Sequence, residues 1–247
     1  MLVQFNSTVL NSLNSKYLNL WSQETVLILG NGPSLNDLPL SKTKNKKIIT
    51  VNNFNLTYTS LWLKSDAHVF IDPGYWQDQI ARREIIKRFV MAEEPLILIS
   101  RPQAWEMLQL IKLANDKISP CLIHPSSDGA DLHFDLRVPC APLGQNVLSA
   151  ALLFSLFVGT KRIELWGFDH SFMDAEDPNN FEHAYRDGLS PAATPNFSPP
   201  TSRELQEKIN VRLNAEYSIL RKMADLMGCK IINCSRKSSV KIFEVDV

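Results

Sequence analysis

The sequence predicts an α/β protein with a Rossmann-like, mostly parallel sheet, helices on both faces and a lid segment. Three observations support this prediction. Short aliphatic runs recur along the 247 residues, segments with helical periodicity separate several of them, and polar residues follow the ends of the runs. Uninterrupted apolar strands that alternate with helices are typical of parallel sheets that are buried on both faces.

Seven short runs, rich in β-branched residues and bounded by turn residues, are predicted to be strands. They are residues 25–30 (TVLILG), 47–53 (KIITVNN), 67–73 (AHVFIDP), 95–100 (PLILIS), 121–125 (CLIHP), 162–169 (RIELWGFD) and 229–235 (CKIINCS). Helical periodicity predicts helices at residues 76–92, 104–115, 145–158 and 203–227.

The chain divides into a short extension and one large domain. Residues 1–24 are predicted to be an N-terminal helical extension, and residues 25–247 a single Rossmann-like domain. One face of the extension carries Leu10, Leu13, Tyr17, Leu20 and Trp21. Residues 171–200 break the alternation with five prolines and little periodicity. Because so long a connection is uncommon in a compact domain unless it is functional or disordered, we predict a lid at about 171–200.

Composition limits the partners and the location. Lys and Arg together number 26, as do Asp and Glu, so no overall basic field attracts the protein to nucleic acid. The four cysteines lack C-x-x-C spacing and are expected to be buried thiols in a reducing cytosol. The longest apolar stretch, residues 147–159, is shorter than the about 20 residues that span a bilayer, and is predicted to be a buried helix. We therefore expect a cytoplasmic protein, and peripheral association with the inner membrane is compatible with this expectation.

Glycine and polar residues follow four of the predicted strands. They are Gly30-Asn31-Gly32-Pro33-Ser34, Asn52-Asn53, Asp72-Pro73-Gly74 and Gly167-Phe168-Asp169-His170. Ligands of open parallel sheets bind outside the carboxyl ends of the strands. These residues therefore form the candidate binding site.

The first group suits an anionic ligand. Gly30 and Gly32 let the backbone approach a ligand closely, and the amides that follow, with the Ser34 hydroxyl, suit a phosphate. Leu35 stands where a dinucleotide fingerprint has glycine, and the Walker lysine is missing. The alternative is a tight connection from strand to helix. Asn52 and Asn53 suit a ribose, base or phosphate, and their alternative is an Asx turn.

Carboxylates and histidines supply candidate chemistry. Asp72 is interpreted as an acceptor for a sugar hydroxyl or as a base, against a capped turn. Asp169 is interpreted as an acceptor for the amino group of a base, against helix capping. His170 borders the site. In the lid, His183 lies beside Tyr185 and is a candidate general acid or base. No D-x-D pair is present, so we expect no metal.

The segments VLILGNGPSL, TVNNF, VFIDPG and RIELWGFD resemble, in order and approximate spacing, the bacterial sialyltransferases that act on lipooligosaccharide. The resemblance covers roughly residues 25–75 and 143–172, and more weakly the C-terminal segment. It implies a nucleotide-sugar-binding domain with a lid and no cofactor. It also implies a metal-independent, inverting glycosyltransferase that uses a CMP-activated sialic or related nonulosonic acid to extend a bacterial surface glycan.

The resemblance also assigns roles by position. Asn31 and Ser34 correspond to contacts with the donor phosphate, Asn52 to contacts with the ribose and phosphate, and Asp169 to a contact with the cytosine amino group. Three residues would lie near the donor sugar, namely Gly144, Gln145 and Asn146. Tyr185 would be a phosphate-binding tyrosine.

The sequence departs from the family in three places. The Ser-Gly with which the family begins its long helix corresponds here to Val147-Leu148 or has shifted to Gly144-Gln145. The family has Asn where this chain has Asp72, and this chain has no histidine before its last long helix, where the family has its catalytic one. The base is therefore His183 or Asp72. The alternatives to a sialyltransferase-like enzyme are a magnesium-dependent phosphoryl transferase like hydroxymethylpterin diphosphokinase, and a non-catalytic nucleotide-binding protein. The expected partners are a nucleotide-sugar donor and a glycan or glycolipid acceptor, and a homo-oligomer is compatible with the sequence.

Overall fold

The computed structural model describes residues 7–72, 95–110, 117–125, 133–140, 143–144, 146–174, 184 and 202–245. Within these ranges, eight parallel strands form one sheet in the order β5-β4-β3-β2-β1-β6-β7-β8. The predicted Rossmann-like α/β class is confirmed. The predicted helix at 76–92 lies outside the described residues.

The strands are β1 (Thr25–Leu29), β2 (Lys47–Val51), β3 (Ala67–Phe70), β4 (Leu96–Ser100), β5 (Ile118–Leu122), β6 (Arg162–Trp166), β7 (Lys230–Asn233) and β8 (Glu244–Val245). The α-helices are α1 (Ser7–Asn14), α2 (Pro102–Leu110), α3 (Val147–Phe157) and α4 (Arg203–Leu226). Short 3₁₀ helices follow the ends of β1, β2 and β6, at Pro33–Asp37, Phe54–Leu56 and Ser171–Met173.

Helix α3 is the buried helix that the sequence predicts. Every residue from Leu148 to Phe157 is buried, and the helix packs across β1 to β4. Its start is fixed by Asn146, whose side-chain oxygen accepts hydrogen bonds from the backbone N–H groups of Leu148 and Ser149. This N-cap satisfies amides that the helix itself leaves without partners.

Helix α4 is amphipathic and packs beside α3. Its buried face includes Leu213, Tyr217, Leu220 and Ala224, which recur at intervals of three or four residues. Its outer face carries exposed charges such as Lys208. One face of the sheet, α3, α4 and the N-terminal segment thus enclose the larger hydrophobic core.

A second core covers the opposite face of the sheet. It contains Leu27 and Leu29, whose side chains point to this face of β1, together with Leu35 and Leu38 from the 3₁₀ region after β1. Because successive strand residues point to opposite faces, one strand supplies both cores. The uninterrupted apolar runs in the sequence reflect this double burial.

The N-terminal helix is shorter than predicted. Helix α1 ends at Asn14, and a 3₁₀ turn follows. Tyr17 and Trp21 pack into the larger core, whereas Leu20 is 49% exposed. The buried Asn14 side chain donates to the carbonyl of Leu122 at 2.8 Å and accepts from its N–H at 3.0 Å. At the outer edge of β5, the Asn14 side chain thus satisfies backbone groups of Leu122 that a neighbouring strand would otherwise bind.

Two strand predictions need correction. Strand β5 covers 118–122 rather than the predicted 121–125. The prediction began too late because Pro120, a residue type that is uncommon in strands, lies inside β5. A proline is tolerated in an edge strand, where no neighbour needs its missing N–H. Strand β8 was not predicted, since it has only two residues. All four cysteines are buried free thiols, as predicted.

Candidate functional site

The strand order reverses between β1 and β6. Strands β2 to β5 lie on one side of β1, and β6 to β8 lie on the other. In open α/β sheets the crevice at such a switch point, outside the carboxyl ends of the strands, is where ligands bind. The turn after β1 and the turn after β6 border this crevice.

The two turns are in direct contact. The N–H of Gly30 donates to the carbonyl of Trp166 at 2.7 Å, and the N–H of Gly32 donates to that of Gly167 at 3.0 Å. A Cβ atom at Gly30 would lie 2.3 Å from the Gly167 carbonyl oxygen, and one at Gly32 would lie 2.1 Å from Oδ2 of Asp169. The glycines predicted to admit a ligand are therefore also required by the packing of one turn against the other.

Asp169 lies over the start of the 3₁₀ helix at Pro33–Asp37. Its Oδ2 accepts hydrogen bonds from the hydroxyl of Ser34 at 2.7 Å and from the Ser34 N–H at 3.2 Å. Burial raises the pKa of Asp169, while the hydrogen bonds from Ser34 act in the opposite direction. In this conformation the carboxylate has the helix-capping contacts that were the alternative interpretation.

The amides after Gly32 are used by the chain itself. Pro33 has no N–H, that of Ser34 is bound to Asp169, and that of Leu35 donates to the Gly32 carbonyl at 3.0 Å. In this conformation each of these amides has a partner within the chain, and phosphate binding by them stays a prediction. The helix they begin is a 3₁₀ helix of five residues.

Neutral amide side chains follow β1 and β2. The Asn31 side chain donates to the carbonyl of Val51 at 3.2 Å and so ties the first turn to the end of β2. Asn52 has a left-handed backbone with φ of 43°, and its N–H donates to the Val69 carbonyl. Asn53 is buried, whereas Asn31 and Asn52 are half-buried. The structure thus brings Asn31 and Asn52 to neighbouring strand ends.

Asp72 lies further along the same edge. It is exposed and follows β3, which is two strands away from β1. At the usual spacing of parallel strands, this separates the ends of β3 and β1 by about 10 Å. Asp72 is therefore separate from the contact between the two turns.

Arg101, which follows β4, binds the segment that leads into α3. Its guanidinium donates to the carbonyl of Gly144 at 2.8 Å, and Gly144 has a left-handed φ of 69°. Burial lowers the pKa of Arg101, although its electrostatic interactions with Cys140 and Glu216 act against this shift. Arg101 was not among the predicted site residues, and the signal for it in the sequence is a cation directly after an apolar strand.

His170 belongs to a polar network that sequence reasoning missed. Its Nε2 lies 2.7 Å from the hydroxyl oxygen of Tyr217, and the Asn146 amide nitrogen lies 3.2 Å from the same oxygen. The imidazole stacks on Phe168 with the ring centres 4.6 Å apart. Tyr217 fits the apolar periodicity of α4, so only its hydroxyl could have drawn attention to it.

Phe168 packs in the larger core and its backbone is fully engaged. Its N–H donates to Ser235 Oγ at 2.8 Å, and its carbonyl accepts from Ser238 Oγ at 2.6 Å. The N–H of Ser239 donates to the Asp169 carbonyl. The loop after β7 therefore fixes the Gly-Phe-Asp turn in place.

The remaining predicted residues are His183, Tyr185 and Gln145, which lie outside the described residues. Ala184, from the predicted lid, is described. It is buried, and its N–H donates to the carbonyl of Asn31 at 2.8 Å. Ala184, in the predicted lid segment, therefore contacts the turn after β1, which contains Gly30 and Gly32.

Two features are absent from the described ranges. No group of three or more His, Cys, Asp or Glu side chains there is arranged to hold a metal ion. None of the helices there has the length and apolarity needed to cross a membrane.

The fold is similar to those of two solved glycosyltransferases. The sialyltransferase CstII from Campylobacter jejuni, in complex with the substrate analogue CMP-3FNeuAc, superposes with a TM-score of 0.50 and 15% identity, over 90% of this chain and 86% of that one. The MAf glycosyltransferase from Magnetospirillum magneticum AMB-1 gives a TM-score of 0.55 and 13% identity, over 100% of this chain and 39% of that one. No family model and no curated protein matches the sequence. At these identities the similarity shows that the three chains share a fold.

Proposed function

We propose that this protein is a glycosyltransferase that takes its sugar from a nucleotide-activated donor. The observation that carries the proposal is the switch point between β1 and β6, where a glycine turn meets a Gly-Phe-Asp turn at the carboxyl edge. Folds host many functions, so the similarity to two glycosyltransferases supports the proposal without deciding it.

We further propose that the donor is CMP linked to a sialic or related nonulosonic acid. The resemblance of the strand-end motifs supports this choice, as does the CMP-sugar analogue held by the Campylobacter enzyme. Asn31 and Asn52 would contact the phosphate and ribose through neutral amides. Asp169 would accept from the cytosine amino group in addition to its contacts with Ser34. We place Gly144, Gln145 and Asn146 near the sugar.

The proposed chemistry is a direct displacement without metal. A base, Asp72 or His183, takes the proton from the acceptor hydroxyl as its oxygen forms a bond to the sugar carbon. The bond from that carbon to the phosphate oxygen breaks, and CMP leaves with the electron pair. Attack from the opposite side inverts the carbon.

The departing phosphate needs hydrogen-bond donors to meet its charge. Because the Ser34 and Leu35 amides are already bound within the chain, we assign this role to the Asn31 side chain and to Tyr185. The contact between Ala184 and Asn31 supports a lid over the donor. The acceptor is proposed to be a bacterial surface glycan or glycolipid.

Turnover of a donor panel tests the proposal. Purified protein is incubated with a CMP-linked sialic acid, a UDP-hexose and a GDP-hexose, each with EDTA or Mg²⁺, and the released nucleotide is measured. We expect CMP release that EDTA does not prevent. Release of only UDP or GDP would replace the proposed donor, and magnesium-dependent consumption of ATP would favour phosphoryl transfer.

A further inference from the structure

Two neighbouring connections of the sheet expose large apolar side chains. Leu40 lies between β1 and β2 and is 60% exposed. Leu61 and Trp62 lie between β2 and β3 and are 64% and 44% exposed. Single exposed apolar residues are ordinary, whereas a group of them on one surface marks an interaction site. The meaning of these three side chains therefore depends on whether they share a surface.

The topology places both connections on the same face of the sheet. Strands β1, β2 and β3 are parallel neighbours in chain order, and connections between parallel strands are right-handed. The second core agrees with this placement, since Leu38 from the first connection and Leu63 from the second both pack there. Leu40 and Trp62, which lie close to these two residues in the chain, are therefore on one side of the sheet.

The two connections also meet at the amino end of β2. The N–H of Asp66 donates to the carbonyl of Ile48 at 2.9 Å, and the Asp66 carboxylate accepts from the Ile48 N–H at 2.9 Å. The ammonium group of Lys47 lies 3.1 Å from the same carboxylate. The segment that leads into Ile48 and the segment that leads into Asp66 thus lie side by side.

The surface around these apolar side chains is basic. Residues 38–65 contain five lysines and no Asp or Glu, although the whole chain has no net charge. Two of the lysines form ion pairs with carboxylates, and the other three are exposed. The acids that flank this stretch are Asp37 and Asp66, and the second of them has a lysine partner. We call the exposed residues of the two connections the basic apolar patch, which consists of Leu40, Lys42, Lys44, Leu61, Trp62 and Lys64.

We propose that the basic apolar patch binds the anionic surface of a lipid membrane. Anionic headgroups attract lysines, while leucine and tryptophan side chains enter the boundary between the headgroups and the acyl chains. A two-fold contact between copies of this chain would instead place lysines against lysines, so the charge favours a lipid surface over a second copy. The inference goes beyond the proposed function and does not depend on it. Since the patch adjoins the amino end of β2, a membrane bound there leaves the crevice at the carboxyl ends of the strands open.

Co-sedimentation with lipid vesicles tests the proposal. The 247-residue chain is mixed with vesicles of equal parts phosphatidylcholine and phosphatidylglycerol, or of phosphatidylcholine alone. We expect binding to the anionic vesicles, and much weaker binding to the neutral ones and at high salt, because salt screens exposed charges. Absence of binding to the anionic vesicles would overturn the proposal, as would equal binding to both kinds.

Lys42→Gln combined with Lys44→Gln tests the charge of the patch. A lysine near an anionic surface contributes about fivefold to binding, so we expect the double variant to bind the anionic vesicles about 25-fold more weakly. Lys222→Gln combined with Lys237→Gln is the matched control, because both lysines are exposed and lie on α4 and after β7. An equal loss in the two double variants would show that the attraction does not come from the patch.

Leu40→Ser combined with Leu61→Ser tests its apolar part. We expect about tenfold weaker binding to the anionic vesicles, since two side chains no longer enter the lipid. The melting temperature should stay close to that of wild type, because both leucines are more than half exposed. Val211→Ser combined with Leu226→Ser is the matched control on the outer face of α4, where these side chains are 71% and 89% exposed. Wild-type binding by the Leu40 and Leu61 variant would overturn the proposal.

Two further readouts identify what covers the patch. Anionic vesicles should shift the tryptophan emission of wild-type protein to shorter wavelength, and Trp62→Phe should remove most of this shift. Sedimentation equilibrium without lipid tests the alternative occupant. A dimer that the Leu40 and Leu61 variant loses, together with no vesicle binding by wild type, would assign the patch to a second copy and overturn the proposal. Because none of these measurements uses a nucleotide, they remain decisive if the proposed donor is wrong.

Discussion

The two edges of the sheet use their polar side chains differently. Near the amino edge, polar contacts are ion pairs. Glu164 is buried and lies 2.6 Å from Lys46 and 2.8 Å from Arg162, and Lys47 lies 3.1 Å from Asp66. The carboxylates of Glu164 and Asp66 each face a cation, so these ion pairs join neighbouring segments of the sheet.

At the carboxyl edge the contacts are mostly neutral. Asn146, Tyr217 and His170 form one network, and Asp169 is bound to the Ser34 hydroxyl. Neutral amides and hydroxyls can exchange partners with a ligand at less cost than a buried ion pair can. We therefore expect the amino edge to maintain the fold and the carboxyl edge to bind the ligand. The predictions below test this division, beginning with the largest expected effect.

Gly30→Ala should have the largest effect. Its Cβ would lie 2.3 Å from the Gly167 carbonyl oxygen, so the turns after β1 and β6 must separate. We expect a loss of about 3 kcal/mol in the free energy of unfolding, from overpacking, and loss of nucleotide binding. Denaturant unfolding and CMP titration measure the two effects.

Gly228→Ala is the matched control for that substitution. Gly228 has a left-handed φ of 67° but nothing within 4 Å of an added Cβ. It should lose about 1 kcal/mol from backbone strain alone and keep its affinity for CMP. If Gly30→Ala were as mild as this control, the described contact between the turns would be wrong.

Glu164→Gln should reduce stability and leave binding intact. The variant loses a buried carboxylate that faces two cations, and we expect a loss of about 2 kcal/mol at neutral pH. Burial alone would raise the pKa of Glu164, but the hydrogen bonds from Lys46 and Arg162 outweigh it and lower the pKa. Stability from this carboxylate is present above its pKa in the unfolded chain and is lost as the pH falls through the lowered folded value.

The difference in unfolding free energy between wild type and Glu164→Gln should therefore shrink in acid. Denaturant unfolding across a pH series measures it. Weaker CMP binding in this variant would break the division between the two edges.

Asp169→Asn should have the opposite pattern, since it should affect binding more than stability. We expect the free energy of unfolding to change by about 1 kcal/mol or less. Burial raises the pKa of Asp169, so the folded state holds its proton more tightly than the unfolded chain does. Wild type therefore loses stability as the pH rises through the interval from the ordinary to the raised pKa, and the amide variant does not. We nevertheless expect CMP binding to be lost.

Asp66→Asn is the matched control at the amino edge, where the Asp66 carboxylate accepts from the Ile48 N–H at 2.9 Å. It should leave CMP affinity unchanged. Equal affinities in the two variants would remove Asp169 from the site.

The smallest effect is expected for Lys230→Gln. Its ion pair with Glu244 at 3.0 Å is more than half exposed on both sides. Exposed pairs of this kind contribute about 0.5 kcal/mol or less. Thermal unfolding with and without added salt measures the difference, and a larger loss would show that β8 depends on this contact.

Local patterns account for what the sequence predicted. The apolar runs fixed the central strands, and the periodicity of residues 203–227 matches α4 almost to its ends. The polar strand ends were expected at one edge, and parallel pairing places them there. These features depend on residues that are close in the chain.

Contacts between distant residues could not be predicted in the same way. The Tyr217 hydroxyl lies within hydrogen-bond distance of His170, 47 residues away in the sequence, and of Asn146, 71 residues away. The local sequence of α4 does not indicate that this hydroxyl has polar partners. Ser34 and Asp169 are 135 residues apart. The sequence offered both residues as ligand contacts, but only the fold shows that they also bind each other.

Thermal unfolding of wild-type protein with CMP, CDP, UDP, GDP and ATP, each with and without Mg²⁺, tests the central claim most directly. A ligand that binds only the folded state raises the melting temperature, by an amount that corresponds to about 2.7 kcal/mol at about one hundred times its Kd. The account predicts that CMP gives the largest increase and that Mg²⁺ does not change it. Stabilisation by ATP and Mg²⁺ alone, or by none of the nucleotides, would contradict it.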